Sequence, residues 1–376
     1  MINVNDFEEL LQEVGVGFYT GVPDSQLKAF CDFIEDKYGI SDKHIIAPNE
    51  GNAVALATGY HLSTSKYGLV YMQNSGLGNA VNPITSLTDP NVYNVPIVYV
   101  IGWRGQPGVK DEPQHIKQGA ITTDLLELLG IDFKILNEDT CIDDLRTLFE
   151  ENFCKQLSMG KSVAFVVSKG AFESFKTKKS NDNLLSREDA IKTVTDNLTM
   201  DDLIVSTTGK ASRELFEYRE EKKQGHSNDF LTVGSMGHSS TIALSIAINK
   251  PHRRVFCFDG DGAVLMHMGS LAMVGSKSPE NYYHVLFNNC AHETVGGLPT
   301  IMDDIDIGEV ALSCGYRNVF NASSNDELEA VLPRFLAEKG PVLLIVDVSI
   351  GSRNDLGRPT TTPIENKTAF MKKLEE

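Results

Sequence analysis

The amino-acid sequence predicts an α/β protein built from two doubly wound parallel sheets in tandem. Short apolar runs alternate with longer runs of helical periodicity, a pattern typical of parallel strands joined by crossover helices. Strand-like runs such as 163–167, Val-Ala-Phe-Val-Val, are apolar at every position, as a sheet covered by helices on both faces requires. A polar stretch at 174–183 interrupts the alternation once, and the pattern then restarts.

The first half carries alternating strand and helix signals. Its predicted strands are 16–20, 44–47, 68–73, 96–101, 133–136 and 162–168, and its predicted helices are 24–36, 50–63, 78–87, 125–129 and 139–157. In helix 24–36 the residues Leu27, Phe30 and Ile34 recur at helical spacing, so one face is expected to pack on a sheet.

The second half repeats the pattern. Its predicted strands are 202–206, 230–233, 254–259, 283–288 and 341–348, and its predicted helices are 187–198, 211–219, 238–249, 262–276, 307–314 and 325–338. Each half closes with a long helix, a turn containing glycine and an apolar strand. We therefore predict domains at 1–170 and 186–376, the latter with a C-terminal tail, joined by a linker at 171–185. A single large doubly wound domain is the alternative.

Composition excludes several classes of protein. The 376 residues carry a formal charge of −17, so binding to a nucleic-acid backbone is not expected. An apolar fraction of 41% argues against general disorder. No apolar run approaches the roughly 20 residues that span a bilayer, and the N-terminus lacks the pattern of a signal peptide. The six cysteines show no CxxC spacing and suggest reduced thiols, so we expect a cytoplasmic protein without a membrane partner.

The most specific motif begins at residue 258. The run Phe-Asp-Gly-Asp-Gly-Ala is followed by a helix and by a strand that ends at Asn288 and Asn289. A carboxylate, an amide oxygen and a backbone carbonyl at neighbouring strand ends form a site of hard oxygen ligands, which Mg²⁺ prefers. Flanking glycines let a ligand approach the backbone, and the helix start offers free N–H groups. The alternative is an Asp-Gly turn beside an Asn-rich loop.

This combination resembles the diphosphate-binding domain of thiamine-diphosphate-dependent enzymes. The resemblance covers nearly the whole chain, but the usual middle domain is absent. It implies that Mg²⁺ is bound by Asp261, by Asn289 and by the carbonyl of Ala291, with Asn288 as the alternative to Asn289. It also implies cofactor contacts from residues of the same motif, which are Gly260, Asp261, Gly262 and Ala263.

The resemblance extends to the aminopyrimidine side of the cofactor. It implies that Glu50, at the start of an alanine-rich helix, faces the aminopyrimidine; the alternative is an acidic residue that favours a helix N-terminus. Loop 234–238 would contact the same ring through Gly234, Ser235 and Met236, with core filling as the alternative for Met236. Gly76, in the glycine-rich segment 73–83, would lie beside the thiazolium.

The two-domain build and the segments 20–25, 105–115, 289–297 and 351–360 resemble the phosphonopyruvate decarboxylase family, with sulfopyruvate decarboxylases as close relatives. The resemblance implies a carboxy-lyase that converts the 2-keto acid 3-phosphonopyruvate to phosphonoacetaldehyde and CO₂ in phosphonate biosynthesis. Another 2-keto acid decarboxylase or a carboligase is an alternative. Two alternatives come from different classes of protein: a non-catalytic thiamine-diphosphate-binding protein and a dinucleotide-binding protein.

Proton transfer and substrate binding need further residues. The proton-transfer candidates are Asp24, His115 and His292; the alternatives are a helix cap for Asp24 and surface positions for the histidines. Cationic side chains that could bind the phosphonate are Arg104, Lys210, Arg213, Arg353 and Arg358. The resemblance further implies a homodimer, or a multiple of dimers, with active sites between subunits.

Overall fold

The computed structural model describes residues 1–175, 177 and 179–375. Two compact units emerge, one of Met1–Lys178 with Val295–Leu298 and the other of Lys179–Thr294 with Pro299–Glu376. The division falls inside the predicted linker 171–185, of which Lys176 and Lys178 lie outside the described residues. Part of this stretch pairs with the N-terminus, since the N–H of Ile2 donates to the carbonyl of Ala171 at 2.8 Å.

The first unit alternates strands and helices. Its strands are β1 (Val16–Gly21), β2 (His44–Ile46), β3 (Tyr67–Gln73), β4 (Ile97–Gly102), β5 (Asp132–Leu136) and β6 (Val163–Val167). Its helices are α1 (Val4–Glu13), α2 (Lys28–Tyr38), α3 (Glu50–Thr64), α4 (Leu77–Pro83), α5 (Pro113–Leu128), α6 (Ile142–Leu148) and α7 (Cys154–Ser158). A turn of π-helix, Phe149–Phe153, joins α6 to α7.

The strands of this unit form one parallel six-stranded sheet within the described residues, in the order β2-β1-β3-β4-β6-β5. Strand β4 shows why its sequence is apolar throughout. Val98 and Val100 enter the core cluster on one face of the sheet, whereas Tyr99 and Ile101 enter the cluster on the other. Both faces are therefore buried, as the apolar strand runs predict.

The second unit repeats the architecture. Its strands are β7 (Leu203–Ser206), β8 (Asp229–Leu231), β9 (Val255–Gly260), β10 (Tyr282–Asn288), β11 (Ala291–His292), β12 (Leu298–Pro299), β13 (Asn318–Ala322) and β14 (Val342–Asp347), although Leu298 clusters with the first unit. Its helices are α8 (Arg187–Asp196), α9 (Lys210–Lys222), α10 (Ser239–Asn249), α11 (Asp261–Met266), α12 (Gly269–Lys277), α13 (Ile307–Cys314), α14 (Asn325–Ala337) and α15 (Pro363–Glu375).

The main sheet of the second unit, as far as the chain is described, is also parallel and six-stranded, in the order β13-β14-β10-β9-β7-β8. Along β9, Phe256 and Phe258 face one core cluster, and Val255 and Cys257 face the other. The predicted fold class, an α/β protein with two tandem parallel-sheet domains, is confirmed.

Several elements differ from the prediction. Helices α1 and α15 and strand β13 had no predicted counterpart. The predicted helix 262–276 is two helices, because His267 and Met268 separate α11 from α12. The predicted helix 125–129 is the last part of a longer one, since Pro113 opens α5 at its first position.

Over the described part of the chain, no helix combines the length and the apolar character needed to cross a membrane.

Candidate active site

The polar candidates of the first unit share one edge of its sheet. Strands β1 to β4 run parallel, so their carboxyl ends meet at the same edge. Asp24 follows β1, Glu50 follows β2, Gly76 follows β3 and Arg104 follows β4. Parallel α/β sheets bind ligands outside the carboxyl ends of their strands, so this edge is the candidate half-site of the first unit.

Glu50 is the first residue of α3, and its side chain is buried. Asn49 caps the helix, its side chain accepting a hydrogen bond from the N–H of Asn52 at 2.9 Å. One oxygen of Glu50 accepts a hydrogen bond from Nδ2 of Asn79 at 2.8 Å. Burial raises the pKa of Glu50, against a smaller lowering by Asn79, so the neutral acid is more favoured than in an exposed glutamate.

Gly76 makes room for the Glu50 side chain. A Cβ atom at position 76 would lie 2.4 Å from Oε1 of Glu50, well inside van der Waals contact. The short helical turn Asn74–Gly76 therefore presents bare backbone to this carboxyl group. Gly76 has a steric role beside Glu50, whereas the sequence suggested only a place beside the thiazolium.

Asp24 is fully buried, and its two carboxyl oxygens are in different situations. Oδ2 accepts a hydrogen bond from the N–H of Gln26 at 2.9 Å, in the turn before α2, whose N-cap residue is Leu27 rather than Asp24. Oδ1 has no hydrogen-bond partner among the described residues. Burial raises the pKa of Asp24 to about 6, although nearby Arg104 acts in the opposite direction. An acid with one free oxygen that titrates near neutral pH is suited to proton transfer.

Asp111 connects Arg104 with His115 in the segment that leads into α5. Its carboxylate accepts hydrogen bonds from Nε of Arg104 at 2.8 Å and from Nη2 at 2.6 Å. Nδ1 of His115 lies 2.9 Å from Oδ1 of the same carboxylate. His115 is buried, contrary to the surface alternative, and burial lowers its pKa while Asp111 raises it.

The second unit presents a matching edge. Asp261 follows β9 as the first residue of α11, and Asn289 follows β10, its neighbour in the sheet. Asp261 is buried, and Oδ2 accepts a hydrogen bond from the Thr300 hydroxyl at 2.7 Å. Burial raises the pKa of Asp261 to about 6, a cost that a bound cation would offset.

The two adjacent asparagines lie in different places. Oδ1 of Asn289 accepts a hydrogen bond from the N–H of Ala291 at 3.1 Å, and that same N–H also hydrogen-bonds Asp261. Asn288 instead donates to Oδ1 of Asp347 on β14 at 2.9 Å. Asn289 and Ala291 therefore lie beside Asp261, and Asn288 is directed to the neighbouring strand.

Apolar and imidazole groups line the backbone of the Asp261 motif. A Cβ at Gly262 would lie 3.1 Å from the Met236 methyl group and from two atoms of the His292 ring. His292 is buried, and burial lowers its pKa to about 4, so the ring is neutral near pH 7. A Cβ at Gly260 would meet nothing within 4 Å. The motif thus has a crowded side and an open side.

Loop 234–237 reaches this region with a backbone that requires small residues. Gly234, Ser235 and Gly237 have φ of 71°, 49° and 81°, in the left-handed region that favours glycine. The N–H of Gly234 donates to the Thr208 hydroxyl at 2.9 Å. Met236, half-buried at the tip, points its methyl group towards Gly262, as a residue that supports a bound ring would.

The remaining cationic candidates differ in how their charge is neutralised. Nζ of Lys210 lies 2.8 Å from Oε1 of Glu293, a buried carboxylate that also binds Arg187 and the Asn289 amide. Arg353, in the C-terminal tail, contacts three carboxylates, those of Glu188, Glu217 and Asp355. Arg213 is partly buried in α9, and Arg358 is exposed.

Models of two protein domains match the chain and decide its family. The N-terminal TPP binding domain of thiamine pyrophosphate enzymes matches residues 4–128, and the C-terminal TPP binding domain matches residues 207–346. The chain belongs to the thiamine pyrophosphate enzyme family. The half-site with Glu50 lies in the N-terminal match, and the half-site with Asp261 lies in the C-terminal match.

Full-length relatives place the chain within this family. It is 35% identical to the phosphonopyruvate decarboxylase of Streptomyces viridochromogenes, over 98% of this chain and 94% of the relative. It is 34% identical to the phosphonopyruvate decarboxylase of Streptomyces hygroscopicus, over 98% and 93%. The sulfopyruvate decarboxylase of Methanosarcina acetivorans is 24% identical over 98% and 96%.

The residues present fit the cofactor of this family. The Asp261 motif has an open side at Gly260, and the Asp261 carboxylate and the Asn289 amide oxygen both face the backbone N–H of Ala291. In the first unit, burial raises the pKa of Glu50, and Oδ1 of Asp24 has no hydrogen-bond partner among the described residues. These are the features that a diphosphate, its cation and a reacting centre need.

Sequence reasoning missed the partners that hold these groups. Asn79 binds Glu50, Thr300 binds Asp261 and Glu293 binds Asn289. Asp111 had a detectable signal, because it lies four residues before His115 in a segment singled out for its resemblance. Thr300 had none, since 39 residues separate it from Asp261.

Proposed function

We propose that this protein decarboxylates 3-phosphonopyruvate to phosphonoacetaldehyde and CO₂, with thiamine diphosphate and Mg²⁺, in phosphonate biosynthesis. One observation carries the proposal. Relatives named phosphonopyruvate decarboxylase align over 98% of the chain at 34–35% identity, and this alignment includes both half-sites.

The chain's own residues supply the setting for the chemistry. When bound, thiamine diphosphate supplies an electron sink for the charge left as CO₂ departs from a 2-keto acid. Glu50 holds a proton at the aminopyrimidine, a task that its burial and raised pKa support. Met236 supports the bound ring from the loop that faces Gly262.

Product formation requires a proton. Phosphonoacetaldehyde carries hydrogen on the carbon that lost CO₂, so a proton must be delivered there. Asp24 is suited to this step, because its pKa of about 6 leaves a protonated fraction near neutral pH and its Oδ1 accepts no hydrogen bond from the described residues. His115 and His292 are the other groups proposed for proton transfer.

Mg²⁺ would be bound by Asp261, Asn289 and the carbonyl of Ala291. Support comes from the shared N–H of Ala291, which brings Asn289 and Asp261 together. The cation would supply positive charge for a bound diphosphate, and it would relieve the cost of burying the Asp261 carboxylate.

Arg104 is the favoured partner of the phosphonate. It follows β4 on the same sheet edge as Asp24, and its Nη1 donates to the Ser25 hydroxyl at 2.8 Å. Its contacts with Asp111 and Ser25 do not use every N–H donor of a guanidinium, so donors remain for an anion. Arg353, in contrast, forms ion pairs with three carboxylates.

An assay over a panel of 2-keto acids tests the proposal. Purified protein with thiamine diphosphate and Mg²⁺ is offered phosphonopyruvate, sulfopyruvate and pyruvate, and CO₂ and aldehyde are measured. We expect the highest kcat/KM for phosphonopyruvate. Cofactor binding without turnover of any of the three would instead identify a non-catalytic binding protein.

Sulfopyruvate is the second candidate substrate. A relative named sulfopyruvate decarboxylase aligns over 98% of the chain, although at only 24% identity. A sulfonate has the shape of a phosphonate with less negative charge, so the same cations can bind it. A higher kcat/KM for sulfopyruvate than for phosphonopyruvate in the same assay would identify sulfopyruvate as the substrate.

We further propose a homodimer, or a multiple of it, with each active site formed between subunits. The resemblance to thiamine-diphosphate enzymes motivates this arrangement. Sedimentation of the purified protein measures the assembly state directly, and a monomer with full activity would contradict the proposal.

A further inference from the structure

The Asp111 carboxylate makes more contacts than an ion pair with Arg104 would need. Its Oδ2 accepts from Nε of Arg104 and from the N–H of Gly105, both at 2.8 Å. Its Oδ1 accepts from Nη2 of Arg104 at 2.6 Å and from the N–H of Glu112 at 2.8 Å, and it lies 2.9 Å from Nδ1 of His115. The two side chains and the backbone of the segment thus converge on one group.

We propose that Asp111 is a positioning residue, which fixes the Arg104 guanidinium and the His115 imidazole relative to each other at the substrate end of the first half-site. This inference rests on the proposed function, because it assigns the phosphonate to Arg104 and proton transfer to His115. Asp111 itself would not touch the substrate.

The electrostatics of Arg104, Asp111 and His115 support this role. The hydrogen bond from Arg104 holds the pKa of Asp111 far below its usual range, so the carboxylate stays ionised. An ionised carboxylate can only accept a hydrogen bond, so Nδ1 of His115 carries the proton in this contact. In the neutral ring, the other nitrogen is then free of its proton and can accept one. Asp111 therefore selects the tautomer as well as the orientation.

The surrounding backbone leaves little room for adjustment. Gly105 has a φ of 67°, and a Cβ there would lie 2.0 Å from the carbonyl oxygen of His115. A Cβ at Gly119 would lie 1.7 Å from the carbonyl oxygen of Gly105. The segment thus packs directly on α5. Asn74, from the end of β3, holds the Arg104 backbone by accepting from its N–H at 3.2 Å and donating to its carbonyl at 2.8 Å.

The test replaces Asp111 by Asn, which keeps size and removes charge. Asp124→Asn is the matched control, because Asp124 is exposed on α5, the helix that begins just after Asp111 and carries His115. We expect Asp111→Asn to lower kcat/KM for phosphonopyruvate by about 10²-fold, with a raised KM and a lowered kcat, as misplaced groups do. The control should stay within about 2-fold of wild type.

A second readout does not depend on the substrate. The charged groups that act on His115 are Asp111, Glu112 and Arg104; Asp111 raises its pKa, whereas burial and Arg104 lower it. NMR titration of the full-length protein, with His115→Gln for assignment, should show His115 titrating at lower pH in Asp111→Asn. It should show no change in Asp124→Asn.

The outcomes separate a positioning role from a purely structural one. Loss of activity in proportion to loss of folded protein, with the His115 titration and KM unchanged, would overturn the proposal. If wild-type protein does not turn over phosphonopyruvate, the proposed function fails while the titration still decides the role of Asp111.

If Asp111→Asn does not fold, Asp111→Glu tests the positioning role instead. This variant keeps the charge at a longer reach, so we expect kcat/KM to fall while His115 titrates close to its wild-type position. Wild-type kcat/KM in Asp111→Glu would overturn the proposal.

Discussion

Carboxyl groups of similar intrinsic acidity behave differently in this protein because their surroundings differ. For Glu50 and Asp24 the cost of burial outweighs the hydrogen bonds that they accept, so the pKa of each is raised. Asp111 receives hydrogen bonds from Arg104, which lower its pKa. The raised pKa of each of these two groups favours its protonated form, whereas Asp111 supplies a fixed negative charge.

Glu50→Gln should lower kcat by about 10²–10⁴-fold, because an amide cannot exchange the proton that the aminopyrimidine requires. The measurement is decarboxylation at saturating cofactor, together with cofactor affinity from fluorescence titration. Glu127→Gln, on the exposed side of α5, is the control and should be neutral. A Glu50→Gln enzyme within a few-fold of wild type would remove Glu50 from this role.

Asp24→Asn should lose activity and gain stability above pH 6. The pKa of Asp24 is about 6 when folded and near 3.8 when unfolded, so the folded state binds the extra proton between these values. Stability from the protonated acid is present below pH 4 and is lost as the pH rises through 6. The amide avoids this loss, which amounts to about 3 kcal/mol at pH 8.

Thermal unfolding of Asp24→Asn and wild type between pH 4 and pH 8 measures this effect. The difference in stability should grow with pH and level off above about pH 7. Asp124→Asn, at an exposed position, should show no such trend. A pH-independent difference would mean that Asp24 is ionised at little cost in the folded protein.

Asn289→Ala should raise the Mg²⁺ concentration needed for half-maximal activity by about tenfold or more, since it removes a proposed ligand. Asn288→Ala is the matched comparison, because its side chain binds Asp347 instead. Chelator-treated enzyme is titrated with Mg²⁺ at saturating thiamine diphosphate. The reverse order of effects would assign the metal to Asn288.

At the scale of elements, strand ends and the turns after them determine where chemistry can occur. In both sheets the polar candidates follow strands that lie next to each other, so residues far apart in sequence share one edge. Close approach of backbone to side chain then requires glycine. Gly102, which ends β4, is such a position, because a Cβ there would lie 2.1 Å from Oδ2 of Asp24.

Gly76→Ala should reduce activity strongly, because its Cβ would displace the Glu50 carboxyl group. Gly78→Ala is the matched control: the position is exposed in α4, and a Cβ there meets nothing within 4 Å. We expect a loss of kcat of about 10²-fold for Gly76→Ala. The control should keep its activity and gain about 0.5–1 kcal/mol of stability from helix propensity. Equal activity of both variants would mean that Glu50 adjusts without cost.

At the scale of the whole molecule, an acidic protein is proposed to act on an anion. The chain carries a formal charge of −17, yet the proposed function assigns the substrate to Arg104 and requires Mg²⁺. Local cations must therefore outweigh the field of the surface at short range, where screening by salt is weakest. Net charge excludes long polyanions as partners without excluding a small one.

Mixing two inactive variants tests the proposed assembly. If each active site combines Glu50 of one subunit with Asp261 of another, a mixed dimer of Glu50→Gln and Asp261→Asn contains one intact site. An equal mixture, after subunit exchange, should recover about a quarter of wild-type activity. No recovery, despite exchange shown with tagged subunits, would place both residues of a site in the same chain.

Local patterns were sufficient to predict the fold class and the positions of the candidate residues. Apolar strands, helical periodicity and the order Gly-Asp-Gly, helix, strand and Asn-Asn are all read along the chain. Strand β13 was missed because it is a short edge strand with Asn318 and Asn321 among its five residues. Helix α15 was missed because it buries only Asn366 and Phe370 among its described residues.

The sequence by itself determined the two parallel sheets and the residue types at their edges, because these depend on periodicity and on order along the chain. Only the tertiary structure decided which groups meet: Asn79 with Glu50, Thr300 with Asp261, and Asp111 with Arg104 and His115. It also decided the raised pKa of Asp24 and of Glu50, since burial is a property of the packed structure. Such contacts arise from packing across the sheet, which no local pattern records.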